Sequence, residues 1–495
     1  MLSLSCFSAH LAASECSSSD QSQTNKASDY KTQTPIKHLV VIFAENCSFD
    51  HYFATYPHAT NAPGEPPFKF KKNTPTINGL QNSLLTANEN KVNPFRLGRD
   101  QAATCNPSHS YTSIQKCAHA GLMDKFVEND ATCGNIVMGY YDGNTVTALW
   151  NYAQRFAMSD NFHSTTFSPS SPGAINLISG QTHGTIPGNL VVGSRIYTIQ
   201  GTLIDDADPF YDDCSKNPKV EMRLTNVGDL LNKKEISWGW FHGGFADCSA
   251  THIGSDGKPI ADYIPHHEPF QYYKSTSNPK HLPPTSVKMI GYQDQANHQY
   301  DLIDFWKAAK INNIPAVSFL KPPAYQEGHP GYSDPLALQT FLVETINKLQ
   351  KLPEWESMAI FLAWDDSGGW YDHEMPPIIN QSNTAADALV SPGNAGQAKP
   401  GSPQARLAYG MRMPFLIVSP FAKQNYVGHK LTDQTSILRF IEDNWGLGRI
   451  GNQSFDEVAG SLRHLFNFKN PNSKPLILNA DTGNSKKNKL RFKKR

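Results

Sequence analysis

The stretch Phe361-Leu-Ala-Trp-Asp-Asp-Ser-Gly-Gly-Trp-Tyr-Asp-His373 narrows the choice of fold more than any other. The run Met358 to Ala363 is apolar at successive positions, the pattern of a strand buried on both faces. Such strands belong to parallel sheets covered by helices. The run ends in Asp365 and Asp366, after which Gly368 and Gly369 permit a sharp turn. Ligands of open α/β sheets bind beyond the carboxyl ends of strands, so paired carboxylates there suit a metal ion or proton transfer. A solvated Asp-Asp turn is the plain alternative.

A second run repeats the arrangement. His38-Leu-Val-Val-Ile-Phe-Ala44 reads as another buried strand, followed at once by Glu45 and Asn46. The two runs lie more than 300 residues apart, yet in a parallel sheet their carboxyl ends can meet.

The same rhythm recurs. Thr145 to Phe156 has helical spacing through Val146, Leu149, Tyr152 and Phe156. Asn226 to Lys233 predicts a short helix before a strand in Ser237 to His242. Tyr300 to Lys310 predicts a helix with Leu302, Ile303, Trp306 and Ala309 inward, and Ala316 to Leu320 a strand. Leu336 to Leu349 predicts a helix burying Leu338, Phe341, Leu342, Thr345, Ile346 and Leu349. Pro414 to Ser419 is a further strand, and Thr432 to Trp445 a helix capped by Thr432 or Asp433. The expected class is α/β: a mostly parallel sheet flanked by helices, with irregular insertions. Residues 1–34 read as a signal-like segment and flexible leader, 35–470 as a single domain with an exposed insertion near 380–405, and 471–495 as a basic tail.

With 39% apolar and 18% charged residues in 495, a large core is expected. The net charge is zero, so nothing global attracts nucleic acid. No run of eighteen apolar residues occurs. Met1 to Ser14 is mildly apolar and ends in small residues, like the latter part of a secretion signal, though without a basic start. A secreted or periplasmic protein is expected. The tail Lys486 to Arg495 suits a solvated end or a peripheral contact with an anionic membrane surface. Of eight cysteines six lie in the body and none forms C-x-x-C, which favours structural disulfides of unspecified connectivity. The oligomeric state is left open.

Ser170-Ser171-Pro172 opens an apolar helical run. Its serines are either caps or, at the positive end of a helix, a nucleophile and anion site. His109 stands in a Pro/Ser loop, His266 and His267 between prolines, and His329 in a Gly/Pro loop, so these imidazoles are presented by loops rather than packed on helices.

Several of these segments resemble one family. Ala44-Glu-Asn-Cys-Ser-Phe-Asp-His-Tyr-Phe53 is similar to the opening signature of the bacterial phosphoesterase family, which holds phosphatidylcholine-type phospholipases C and acid phosphatases. Ser168-Pro-Ser170-Ser-Pro-Gly resembles its nucleophile turn, and Trp364 to Pro377 its acidic signature; His266-His267 and Glu327-Gly-His329-Pro-Gly also match. The likeness spans about residues 36 to 450. It implies an alkaline-phosphatase-like fold and one divalent metal ion, with zinc and calcium ahead of magnesium. Glu45, Asn46, Asp365, Asp366 and Ser170 would hold the ion, and Ser170 would also be the nucleophile. Asn46, His109, His267 and His329 would bind the phosphoryl oxygens, and the three histidines would serve catalysis, including protonation of the leaving group. Many phospholipase members carry Thr and then Asn-Pro-Asn-Arg at the nucleophile turn. Here Ser170 is followed by Ser-Pro-Gly-Ala, closer to the acid-phosphatase branch.

The expected activity is therefore metal-dependent hydrolysis of a phosphoric ester, through a phosphoserine, with a phospholipid as substrate and a phosphomonoester as the alternative. A non-catalytic secreted binding protein would have lost some of these side chains, and all are present. No G-x-S-x-G or H-E-x-x-H occurs, which sets aside the common serine hydrolases and zinc proteases.

Overall fold

The computed structural model describes residues 25–485. An eight-stranded sheet forms its centre. In chain order the strands are β1 (His38–Ala44), β2 (Ala157–Ser159), β3 (Trp238–His242), β4 (Gln299–Asp301), β5 (Val317–Lys321), β6 (Met358–Trp364), β7 (Phe415–Val418) and β8 (Tyr426–Gly428). Across the sheet they run β4-β3-β5-β1-β6-β7-β2-β8. Neighbours pair in parallel except around β7, which is antiparallel to both β6 and β2.

The two runs singled out in the sequence lie side by side at the middle. Every residue of β1 and β6 is buried, which their unbroken apolar content requires. Their register sets His38 opposite Met358 and Ala44 opposite Trp364. Glu45 and Asp365 therefore leave the sheet at the same level, and the Asp365 N–H still donates to the Ala44 carbonyl at 3.2 Å.

The helices used below are α1 (Phe49–Phe53), α2 (Tyr111–Ala118), α3 (Thr147–Arg155), α4 (Ser170–Ser179), α5 (Val227–Lys233), α6 (Leu302–Lys310), α7 (Pro335–Leu349) and α8 (Gln434–Trp445). α4 packs on α8, and α3 on α7. α7 begins where Asp334 accepts from the Leu336 and Ala337 N–H groups, with Pro335 in the first turn. All six of its expected inward residues are buried. α8 is capped by Asp433, which accepts from the Thr435 N–H, and buries Ile437, Leu438, Ile441 and Trp445. α6 departs from expectation. Residues 299–301 pair as an edge strand, so the helix starts later, and Phe305 docks on Phe241 at 5.3 Å. That contact turns Phe305, Ala308 and Ala309 inward and leaves Ile303 57% exposed. The His266-His267 loop winds into two short 3-10 turns, each with a proline in its first turn, where a missing N–H costs nothing.

A second core gathers Tyr111, Ile114, Phe126, Phe167, Tyr371 and Leu407, and residues of the 380–405 segment join it: Ala386, Leu389 and Ala395 are buried there, while Val390 and Lys399 are exposed. Of the leader, residues 25–34 are described and held. The Tyr30 hydroxyl accepts from the Ser237 N–H, and Thr34 Oγ1 donates to Asn444 Oδ1. The remainder of the leader, Cys6 and Cys16, and Lys486 to Arg495 lie outside the described residues.

Disulfides join Cys105 to Cys133 and Cys214 to Cys248. This corrects the expectation for the other two body cysteines: Cys47 and Cys117 are free thiols, both buried. Cys47 continues the chain just past β1, where its Sγ donates to the Ser48 carbonyl.

One buried cation ties α1 to the turn after β6. Arg412 donates to Asp50 Oδ1 at 3.1 Å and to Asp372 Oδ2 at 3.2 Å, and its guanidinium lies 4.4 Å from the centroid of the Phe49 ring. His373 Nδ1 adds a contact to Asp50 Oδ2 at 2.6 Å. Asp50, Asp372 and His373 are thus a brace. α4 in turn fits against β6 only because residue 173 is glycine: a Cβ there would lie 2.2 Å from the Asp365 carbonyl oxygen.

Two outcomes follow for chemical denaturation. Arg412→Met strands two buried carboxylates and is expected to lower stability by roughly 3–5 kcal/mol. Gly173→Ala is expected to cost about 1–3 kcal/mol through overpacking. Midpoints unchanged from wild type would refute both assignments.

Candidate active site

Three carboxylates, an amide and a hydroxyl converge past the ends of β1 and β6. Ser170 Oγ lies 3.0 Å from Glu45 Oε2, 3.4 Å from Asn46 Oδ1 and 3.4 Å from Asp366 Oδ2. The Asn46 N–H donates to Asp365 Oδ1 at 2.8 Å. All five side chains are at most 2% exposed. Asn46 adopts a positive φ of 55°, a conformation asparagine tolerates, which turns the chain back toward β6. Gly368 follows the acidic pair at φ +62°, and a Cβ there would strike the Asn46 backbone at 2.7 Å. Gln434, first residue of α8, grips the end of β6 by donating to the Asp365 and Trp364 carbonyls.

Ser170 is not a cap. The residue before the helix is Pro169, which offers no side-chain hydrogen bond. The start of α4 is satisfied from outside by Asp206, whose Oδ1 accepts from the Ser171 N–H and Oγ, each at 2.9 Å. Ser170 is thereby released to face the carboxylates.

Behind Glu45 stands a group that sequence reasoning missed. Lys321, the last residue of β5, is fully buried, contacts Glu45 Oε1 and lies 3.2 Å from Glu327 Oε2. Burial opposes its charge, but Glu327 and Glu45 outweigh it and push the ammonium up to about 12. Glu327 also accepts from the Tyr332 hydroxyl. A charged residue directly after the apolar run 316–320 was the available signal, the same one that marked Glu45 and Asp365. His267 completes the group, with Nδ1 3.2 Å from Glu327 Oε2 and Nε2 3.6 Å from Glu45 Oε2.

The other expected histidines face a cavity of about 870 Å³ that Ser170 also lines. His109 Nδ1 donates to the Pro107 carbonyl at 2.7 Å, so Nε2 points to the Asn46 amide at 3.3 Å. His329 is held likewise by the Pro330 carbonyl and stacks on Tyr332, and its ring centroid is 6.0 Å from that of His109. Burial, with His109 second, drives His329 down to about 3; burial and then Lys321 drive His267 well below the ordinary imidazole range. His266 is the exception on the same cavity: burial disfavours its cation, yet a contact to Asp208 and the Asp206 charge raise it.

The residues fit a divalent cation. Ser170 has one proton for three facing oxygens, all at most 3.4 Å away. Asp365 Oδ2 is buried and makes no hydrogen bond of its own. Burial and then the Asp365 charge push Asp366 well above the usual carboxylate range. All donors are hard oxygens, which suit zinc, calcium or magnesium alike. Among the described residues three groups have ligand-like spacing: Lys321 sits in Glu45–His267–Glu327, Arg412 occupies Asp50–Asp372–His373, and in Asp212–Cys214–His281 the sulfur is in a disulfide.

Among curated sequences, phospholipase C A of Mycobacterium tuberculosis is 23% identical over 453 residues, covering 88% of this chain and 78% of that protein. Non-hemolytic phospholipase C of Pseudomonas aeruginosa is 23% identical over 487 residues, covering 90% of this chain and 59% of that longer protein. Non-specific phospholipase C1 of Arabidopsis thaliana is 21% identical over 471 residues, covering 90% and 69%. Murine ectonucleotide pyrophosphatase/phosphodiesterase 5 aligns at 12% identity over 65% of this chain and 94% of its own, with a TM-score of 0.33, too loose a likeness to weigh further. The sequence profile of the Phosphoesterase family matches residues 36–448, and with that match spanning most of its length this chain belongs to the Phosphoesterase family and is a phosphoric ester hydrolase.

Proposed function

We propose that the chain is a metal-dependent phospholipase C, splitting a phospholipid into diacylglycerol and a phosphorylated headgroup through a phosphoserine at Ser170. The observation that carries the reading is the Ser170 hydroxyl, wedged among Glu45, Asn46 and Asp366 on one side and lining the cavity on the other. Zinc or calcium held by Glu45, Asn46, Asp365, Asp366 and Ser170 would lower the hydroxyl pKa and offset charge on the phosphoryl oxygens. Ser170 attacks phosphorus from the first turn of α4, whose N–H groups favour the anion there. The Asn46 amide, His109 and His329 border the space the phosphoryl oxygens fill, and the two rings are fixed by their backbone carbonyl contacts. His267, neutral and set between Glu45 and Glu327, orients those carboxylates. Protonation of the leaving oxygen falls to His109 and His266 on the cavity wall. Water then cleaves the phosphoserine with the same residues in reverse roles.

The substrate class follows the relatives named phospholipase C. A second reading, a broad acid phosphatase acting on phosphomonoesters, is favoured by the cavity lining, where polar side chains, among them Ser108, Thr112, Ser194, Arg195, Asp205 and Asn217, outnumber apolar ones. The two disulfides support a secreted or periplasmic site of action. Among the described residues no helix is long and apolar enough to cross a membrane.

Ser170→Ala is expected to lower kcat/KM by at least about a thousandfold with the fold intact, whichever ester is used; wild-type turnover would remove the covalent step. Chelation is expected to abolish activity, and zinc or calcium to restore it; full activity in metal-free protein would exclude the metal. Release of diacylglycerol from phosphatidylcholine exceeding hydrolysis of an aryl phosphate, at acidic and neutral pH, decides for the phospholipase, and the reverse for the phosphatase.

A further inference from the structure

Among the described residues, Lys321 is the one lysine the fold buries. It stands where a metal ion could. Glu45, Glu327 and His267 are all buried, and each offers a ligand atom within 4.8 Å of the others. The Lys321 ammonium touches two of the three: it contacts Glu45 Oε1 and lies 3.2 Å from Glu327 Oε2. Its Nζ lies over the Phe43 ring, 5.8 Å from the centroid.

Glu45 accordingly faces two ways. Oε1 meets the ammonium, and Oε2 lies 3.0 Å from Ser170 Oγ, on the side of Asp366. A carboxylate that spans two cation positions is how paired-metal sites are built, their ions about 3.5–4 Å apart.

We propose that Lys321 is the resident second cation of the site: its ammonium fills a divalent-ion position made by Glu45, Glu327 and His267, and so keeps the centre to a single metal. This rests on the reading of Glu45 as a metal ligand. The charge pattern supports it. Two carboxyl groups share one ammonium, and removing that ammonium leaves both buried without a cation, beside an imidazole. A divalent ion is then the group of matching charge and ligand preference. Lys321 is also a positioning residue, since it fixes one oxygen of Glu45 and leaves the other to the Ser170 side.

The test is metal stoichiometry, read by elemental analysis after dialysis against excess zinc and then metal-free buffer. Wild type and Lys321→Arg are expected to retain one ion per chain. Lys321→Met, which keeps the stem, and Lys321→Ala are expected to retain two, and His267→Ala on the Lys321→Met background to return to one. Far-UV circular dichroism and thermal unfolding accompany each sample; a variant that folds only with added zinc and then carries two ions supports the proposal equally. One ion in both Lys321→Met and Lys321→Ala overturns it, and so does a second ion retained by wild type, which needs no variant. A wild-type chain that holds no metal at all instead overturns the reading of Glu45 as a ligand, so the two failures are told apart.

Discussion

Glu45, Asp365 and Asp366 bring three carboxylates out of water at one point, where β1 and β6 end in register. Such a cluster is costly, because buried like charges must be neutralised by protons or by cations. One ammonium from β5 reaches Glu45, which leaves the acidic pair of β6 without a cation of its own. The surrounding features serve this junction. Gly173 lets α4 approach β6, Gly368 lets the acidic turn fold over Asn46, and Gln434 clamps the strand end from α8. The proposed metal ion would supply the cation that this cluster lacks.

Two buried cations divide the labour around it. Arg412 neutralises Asp50 and Asp372 and locks α1 to the turn that follows the acidic pair, a structural task. Lys321 neutralises Glu45 and Glu327 at the reacting side. The difference suits the two residue types. A planar guanidinium forks between two carboxylates and an aromatic face, whereas a compact ammonium fits a space the size of an ion. The cavity is lined by Ser170, His109, His266 and His329, so the reacting hydroxyl has an entrance.

Much of this was legible in the sequence where local pattern and tertiary packing agree. β1 and β6 were legible because a strand buried on both faces leaves an unbroken apolar run, and the meeting of Glu45, Asn46, Asp365 and Asp366 because parallel strands deliver their carboxyl ends to one side. α7 and α8 were read from period and caps. The misses have physical causes. The face of α6 was set by one aromatic contact across β3, which no local period contains. Cys47 and Cys117 counted toward an even number, but pairing depends on distance, and both are enclosed in apolar surroundings. Ser170 looked like a cap because the cap is Asp206, distant in sequence. Lys321 and Arg412 were passed over because lysine and arginine are seldom fully buried, and only the fold shows which carboxylates they meet.

The direct measurement is a crystal structure of the protein soaked in zinc, with anomalous diffraction recorded above and below the zinc edge. The account predicts one peak bounded by Glu45 Oε2, the Asn46 amide oxygen, Asp365, Asp366 and Ser170 Oγ, with Lys321 still against Glu45 Oε1. A peak in the Glu45–Glu327–His267 space with Lys321 displaced, at Asp50–Asp372–His373, or nowhere in the chain would contradict it.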